Sequence, residues 1–440
     1  MKVKFISLVL LLAALTLLSG CMSTLDQMYC LPKRSEDAQN LQASIDAAMQ
    51  GLVYCAPISG ENQQMVQTAD LDGDGEMEYL VFAKGSSEKP MKILIFSLEE
   101  DRYVHTMTLD SNGTAFDQVE YVQTDGFAGV ELVVGRQVSD QVLRSVSVYS
   151  FAGAQTELLM SANYSKYLTC DLDSDGKKEI LILRPGHTGS DNGVAELYRV
   201  QEGIMVRSNE AAMSESAEHL KRIITGTLQD GEPAVYVAST VGEKAIITDV
   251  FATVDGVFRN VSFSNESGTS VQTLRNYYVY ATDIDDDGVV ELPNLIHMTS
   301  MDAASAAERQ YLIRWYAMRL DGTEVDKQFT FHNYAGGWYY DLNRDWVSRV
   351  TVVQKGQAHE FYIWDSGFNR AEKVLTIYAY TGPDRDDQAM EGGQFLLQRT
   401  ESVVYAGVLE NRAYDFGITK DVVIDGFHLI QQEWKTGETD

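Results

Sequence analysis

Cysteine is scarce in this 440-residue chain, which carries only Cys21, Cys30, Cys55 and Cys170. Cys21 ends an N-terminal apolar segment, and the other three are an odd number, so at most one disulfide forms. Cys30–Cys55 is the only pair flanking a common short segment, and Cys170 reads as a small buried residue. Catalytic signatures are missing as well: no HExxH, GxSxG, P-loop or Cys–His metal cluster occurs. The seven histidines (His105, His187, His219, His297, His332, His359 and His428) are scattered along the chain. The turn RPGHTGSDNG around His187 is glycine-rich but lacks the helix that a phosphate cradle needs. The expectation from these absences is a protein without catalytic activity. Basic residues are in deficit, 35 Lys and Arg against 64 Asp and Glu, and the net charge of −29 repels nucleic acid and anionic lipid. After residue 21 no apolar stretch is long enough to span a bilayer.

The first 21 residues read as an address. Lys2 and Lys4 give a positive start, and Phe5 to Leu18 form an apolar run too short for a membrane span and right for a signal segment. It ends in Leu18-Ser19-Gly20-Cys21, which resembles the bacterial lipoprotein box. That resemblance implies lipid attachment at Cys21, cleavage before it, and an exported protein held to the cell envelope through its N-terminal lipid only. Residues 22–62 are expected to be a tether and a short helix. Within them SEDAQNLQASIDAAMQG is amphipathic: Ser35 can cap it, Gly51 can end it, and Leu41, Ile45, Ala48 and Met49 share a face.

What the remainder has is a repeated acidic loop. DLDGDGEME begins at Asp70, DLDSDGKKE at Asp171 and DIDDDGVVE at Asp283. Each carries Asp at positions 1, 3 and 5, Gly at 6 and Glu at 9. The candidate metal ligands are therefore Asp70, Asp72, Asp74 and Glu78; Asp171, Asp173, Asp175 and Glu179; and Asp283, Asp285, Asp287 and Glu291. Alternate carboxylates in a tight turn converge on one point, and the glycine supplies a positive φ. Hard oxygen ligands in this number suit calcium, with a backbone carbonyl at position 7 completing the shell. An EF-hand is excluded, because position 12 is Val81, Ile182 or Asn294 and the flanks, such as YLVFA and ILIL, are strand-like.

Weaker copies lie between and beyond these loops: VEYVQTDGFAGVELVVG, ITGTLQDGEPAVYVA and WYYDLNRDWVSRVTVV. Position 1 then falls at 70, 121, 171, 226, 283 and 341, in steps of 51, 50, 55, 57 and 58. In the sixth unit Trp346 stands where the turn wants Gly, and Arg349 replaces Glu, so a guanidinium is expected to neutralise Asp341 and Asp345 without a metal. A seventh unit starts near Phe395, at FLLQRTESVVYAGV, with its loop nearly gone. Units of about 50 residues with four short antiparallel strands are the signature of propeller blades. The fold class expected is all-β: a β-propeller of seven four-stranded blades with one short N-terminal helix. Pro293 interrupts the strand after the third loop and should distort that blade.

The units over residues 63–440 resemble FG-GAP or VCBS repeats, the blades of integrin α-subunit propellers and of many bacterial surface proteins. The resemblance implies structural calcium, about three ions, on one face of the propeller. It also implies a calcium-stabilised binding or adhesion module for a protein or glycan at the cell surface. A polysaccharide lyase on the same scaffold is the alternative. Late in the chain the five tryptophans (Trp315, Trp338, Trp346, Trp364 and Trp434) gather with Tyr316, Tyr339, Tyr340, Tyr362, Tyr378 and Tyr380. They read as packing between blades, or as faces for a sugar or protein.

Overall fold

The computed structural model describes residues 36–138, 144–152, 156–186, 192–277, 279–299, 311–367 and 369–431. Cys21 and the signal segment, Cys30, the Ser35 cap, His187 and Trp434 lie outside them.

The described chain is almost wholly antiparallel β-structure, laid down as six sheets of four or five strands in sequence order. The sheets span residues 53–111, 115–164, 166–212, 220–260, 291–341 with 427–429, and 350–409. Burial explains why their strands read so differently. The strands that follow the first two loops, Glu78–Lys84 and Glu179–Pro185, carry apolar runs buried on both faces. The outermost strand Arg102–Ser111 has no fully buried residue. Buried runs of this kind belong to sheets covered on both sides.

Each pair of neighbouring sheets shares a core, and successive residues of one strand supply opposite sides of it. Leu132 and Val134 of the second sheet pack with Leu80 and Phe82 of the first, while Val133 packs with Ile180 and Ile182 of the third. Leu181 and Leu183 then meet Val235 and Val237 of the fourth sheet. Tyr236 meets Leu292 and Tyr316 of the fifth, and Trp338 and Phe331 meet Phe361 and Leu375 of the sixth. The result is a propeller-like succession of six stacked sheets.

The seventh blade is a correction. Phe395–Arg399 and Val403–Leu409 open no new sheet; Val403–Leu409 pairs with Ala371–Thr381 of the sixth sheet, and Phe395–Arg399 closes its edge. The intervening turn, with a short helix over Arg385–Gln388, is long enough for the chain to return to the same sheet. The strand expected to open the sixth unit, Trp338–Asp341, pairs instead with Glu324–Asn333 and Phe427–Leu429 in the fifth.

Pro293 acts on one side only. Glu291–His297 pairs continuously with Tyr311–Met318 through Pro293. On its other side the ladder shrinks to one bridge, Thr282↔Glu291, where the first and third sheets have strands of four and five residues. The next hydrogen-bonded pair would need the N–H that proline lacks.

The N-terminal helix α1 (Glu36–Ala48) braces the first sheet. Ile45 is buried against Val81, Leu94 and Phe96, with Leu41, Ala48 and Met49 beside it. Ser44 donates to the Tyr103 carbonyl at 2.7 Å, and Gly51 (φ 78°) ends the helix region.

Candidate metal centres

The three acidic loops share one hydrogen-bond frame. The N–H at position 6 donates to the Asp at position 1: Gly75 to Asp70 at 3.2 Å, Gly176 to Asp171 at 3.0 Å, Gly288 to Asp283 at 2.7 Å. The N–H at position 7 donates to the Asp at position 5: Glu76 to Asp74 and Lys177 to Asp175 at 2.8 Å, Val289 to Asp287 at 2.9 Å. The N–H at position 2 donates to the Glu at position 9: Leu71 to Glu78 at 2.9 Å, Leu172 to Glu179 at 2.8 Å, Ile284 to Glu291 at 3.1 Å. The apolar residue at position 2 is buried under the loop in each case. Position 6 has φ of 85–91° in all three loops, as the glycine requires. Position 4 is also left-handed, in Gly73, Ser174 and Asp286.

Within this frame the carboxylates at positions 1, 3 and 9 converge. Asp70, Asp72 and Glu78 each offer an oxygen within 4.8 Å of the others, as do Asp171, Asp173 and Glu179, and Asp283, Asp285 and Glu291. Asp74, Asp175 and Asp287 stand outside those groups, each held by its bond to the position-7 N–H. The glutamates are 5, 3 and 0% exposed. Burial pushes the carboxyls of Glu179 and Glu291 up to about 7, and Glu78 is raised for the same reason. Among the described residues, buried Glu291 Oε1 and Asp171 Oδ1 have no hydrogen-bond partner. Buried, unpartnered carboxylate oxygens beside further carboxylates are the donor set that a cation satisfies, so the residues fit a metal ion.

The loops differ in their counter-charges. Arg199 lies 3.4 Å from Asp173 and Lys177 3.9 Å from Asp175 in the second loop. Lys327 pairs with Asp287 of the third and holds that carboxyl below the usual range. Among the described residues no Lys or Arg pairs with a carboxylate of the first loop.

The second unit solves the same problem without acidic convergence. Its buried Glu131 accepts from Thr124 N–H at 2.7 Å, the same seven-residue reach as in the metal loops. Position 1 is therefore Gln123, two residues later than the sequence pattern suggests. The Gln123 side-chain oxygen accepts from the Asp125 and Gly126 N–H groups at 3.1 and 2.7 Å. Its amide nitrogen donates to the Phe127 carbonyl and to the position-7 carbonyl, Gly129, at 2.9 Å. A side-chain amide thus stands where the other loops gather carboxylates. In the fourth unit the loop is a tight turn closed by Leu228 N–H to the Glu232 carbonyl at 2.8 Å.

The sixth loop departs from expectation in one respect. Asn343 caps a turn over Arg344–Trp346 and accepts from Asp345 N–H at 2.9 Å. Arg349, however, donates to the Trp364 and Asp345 main-chain carbonyls, not to carboxylates. The neighbour of Asp341 is His428, at 3.3 Å.

Cys170 is buried with a free thiol, and Cys55 is half-buried. Trp315, Trp338 and Trp346 are buried packing residues. Trp364 is half-buried and donates to Thr351 at 2.8 Å. Tyr378 and Tyr380 stack at 5.4 Å.

No protein-family model matches the chain, and no curated protein matches it. Among solved structures it is similar to rhamnogalacturonan lyase YesW, with 11% identity over 72% of this chain and 71% of that one and a TM-score of 0.30. A rhamnogalacturonan lyase of Bacillus licheniformis gives 12% identity, coverage of 73 and 72%, and a TM-score of 0.28. A protein from Lactobacillus plantarum gives 9%, 72 and 85%, and 0.26.

Proposed function

We propose that the chain is an exported, lipid-anchored protein of a bacterial envelope. Its propeller-like body is of the FG-GAP or VCBS type, is braced by about three calcium ions, and binds a protein or glycan without catalysing a reaction. The observation that carries this reading is the frame repeated in three loops, each of which aims a buried glutamate and two aspartates at one point. Asp70, Asp72 and Glu78 would hold one ion, Asp171, Asp173 and Glu179 the second, Asp283, Asp285 and Glu291 the third. Asp74 and Asp175 would add their second oxygen, whereas the second oxygen of Asp287 is paired with Lys327. The carboxylates at positions 1, 5 and 9 each accept from a main-chain N–H of the loop that presents them, which suits bracing. Capture of partners from the protein's own cell surface, with and without chelator, tests the binding role. A calcium-dependent partner is expected, and no partner under either condition overturns it.

The anchor rests on the lipoprotein-like Leu18-Ser19-Gly20-Cys21. Cys21→Ala should leave unprocessed precursor or release soluble protein, and unchanged membrane association would remove the idea. The second reading is a polysaccharide-active enzyme of lyase type on the same scaffold. It is the activity named for two of the similar structures, whose TM-scores of 0.30 and 0.28 lend it no support from geometry. Degradation of a polysaccharide panel by the purified protein would put this reading first.

A further inference from the structure

The fifth sheet carries a second feature at the end of its strands opposite the acidic loop. Glu291 pairs with Ala317 at the loop end, and His297 with Tyr311 at the other. Beside Tyr311, between the fifth and sixth sheets, lies a cavity of about 520 Å³, a size that suits a small ligand. Tyr277, Tyr311 and Tyr334 line it together with Asn333, Gln354 and His359, and among the described residues no Asp, Glu, Lys or Arg does. Tyr277 and Tyr311 are each 40% exposed. The Tyr277 and Tyr334 rings meet edge to face at 5.4 Å.

One buried group in this lining asks for a ligand. The Asn333 oxygen accepts from Gly336 N–H at 3.0 Å, so its amide nitrogen is the atom 3.2 Å from His359 Nε2. Nε2 therefore accepts, and the imidazole proton sits on Nδ1. His359 is 6% exposed, and Nδ1 has no acceptor among the described residues. The buried Tyr334 hydroxyl has no partner there either. Burial keeps the imidazole neutral, with its pKa lowered to about 4.

We propose that this cavity binds an uncharged sugar ring of a glycan. The tyrosine faces pack against the C–H faces of a pyranose, and its hydroxyls accept from His359 Nδ1–H and pair with the Tyr334 hydroxyl and the Gln354 amide. A purely apolar ligand would leave the buried donor unmatched. A carboxylated or sulfated sugar would be desolvated with no counter-charge among the described lining residues. The inference rests on the binding reading above and gives it a ligand class and a place.

Isothermal titration of the purified protein tests it, using uncharged oligosaccharides of β-1,4-linked galactose, glucose and N-acetylglucosamine and of α-linked mannose. Oligogalacturonate is the charged control. At least one uncharged oligosaccharide should bind, and both Tyr311→Ala and His359→Phe should weaken it tenfold or more. Tyr311 is exposed enough that its truncation leaves the core intact, and His359→Phe keeps a ring while removing the donor. Binding of no uncharged oligosaccharide, binding indifferent to both substitutions, or equal binding of oligogalacturonate overturns the assignment. If partner capture from the cell surface persists in that event, the cavity falls and the binding reading stands; if capture fails too, both fall.

Discussion

Gln123 gives the sharpest perturbation. Its side chain makes four hydrogen bonds, two accepted and two donated, and closes the second loop from within. Gln123→Ala deletes all four. At about 0.5–1.5 kcal/mol net for each, discounted for a loop partly open to water, the loss is about 2–4 kcal/mol. Gln123→Asp costs a similar amount in chelator, because the donated bonds vanish and the Phe127 and Gly129 carbonyls face a carboxylate. It also completes the set at positions 1, 3 and 9, since Asp125 and Glu131 already occupy the other two. Calcium should therefore recover part of the loss for Gln123→Asp and none for Gln123→Ala. The number of bound ions should rise from three to four only in the former. Guanidinium denaturation with calcium and with chelator, alongside equilibrium dialysis, reads both effects. A Gln123→Ala loss under about 0.5 kcal/mol, or equal calcium responses in the two variants, would refute the idea that an amide replaces an ion.

The second loop should release its ion first on titration with chelator, because Arg199 and Lys177 already oppose its charge. Arg199→Ala should tighten that weakest site about two- to fivefold, the effect of removing one partly exposed pair; an unchanged weakest step would contradict this. A pH effect follows from buried His359 and from half-buried His332, whose ring nitrogens are buried; burial lowers their pKa values to about 4 and about 3. The unfolded chain binds these protons first, so their contribution is complete above about pH 6.5 and falls as the medium is acidified. Between pH 7 and 5 each should cost about 2 kcal/mol, and His359→Gln should remove one such share; a denaturation midpoint that His359→Gln makes no less pH-dependent would count against it.

How far the sequence could be read depends on whether a feature is local. The loops were legible because their frame is made within nine residues: the positive φ at position 6, the convergence of positions 1, 3 and 9, and the strand that follows. Helix α1 was legible from one apolar face. Position 4 was not, since Ser174 and Asp286 carry no mark of a left-handed backbone. Regular spacing puts position 1 of the second unit at Tyr121, whereas the seven-residue reach from Thr124 to Glu131 puts it at Gln123. A Glu preceded at seven residues by the start of a turn was the signal available. The seventh blade failed because strand count does not say which partner a strand will choose, and Val403–Leu409 chose the existing sixth sheet. The cavity at Tyr277, Tyr311 and His359 draws on two sheets, and no local pattern joins residues 82 positions apart (359 − 277).

The central claim, that calcium braces this fold, is tested most directly by melting the purified protein in about 1 mM calcium and in chelator. Extracellular calcium sites have dissociation constants near ~10⁻⁴–10⁻³ M, so each adds roughly 0.4–1.4 kcal/mol at that concentration. Three sites add about 1–4 kcal/mol, a substantial share of a typical stability of about 5–15 kcal/mol. The account predicts a higher melting temperature in calcium, with Asp72→Ala and Asp285→Ala each removing part of the difference. Melting curves that coincide in calcium and in chelator would contradict it.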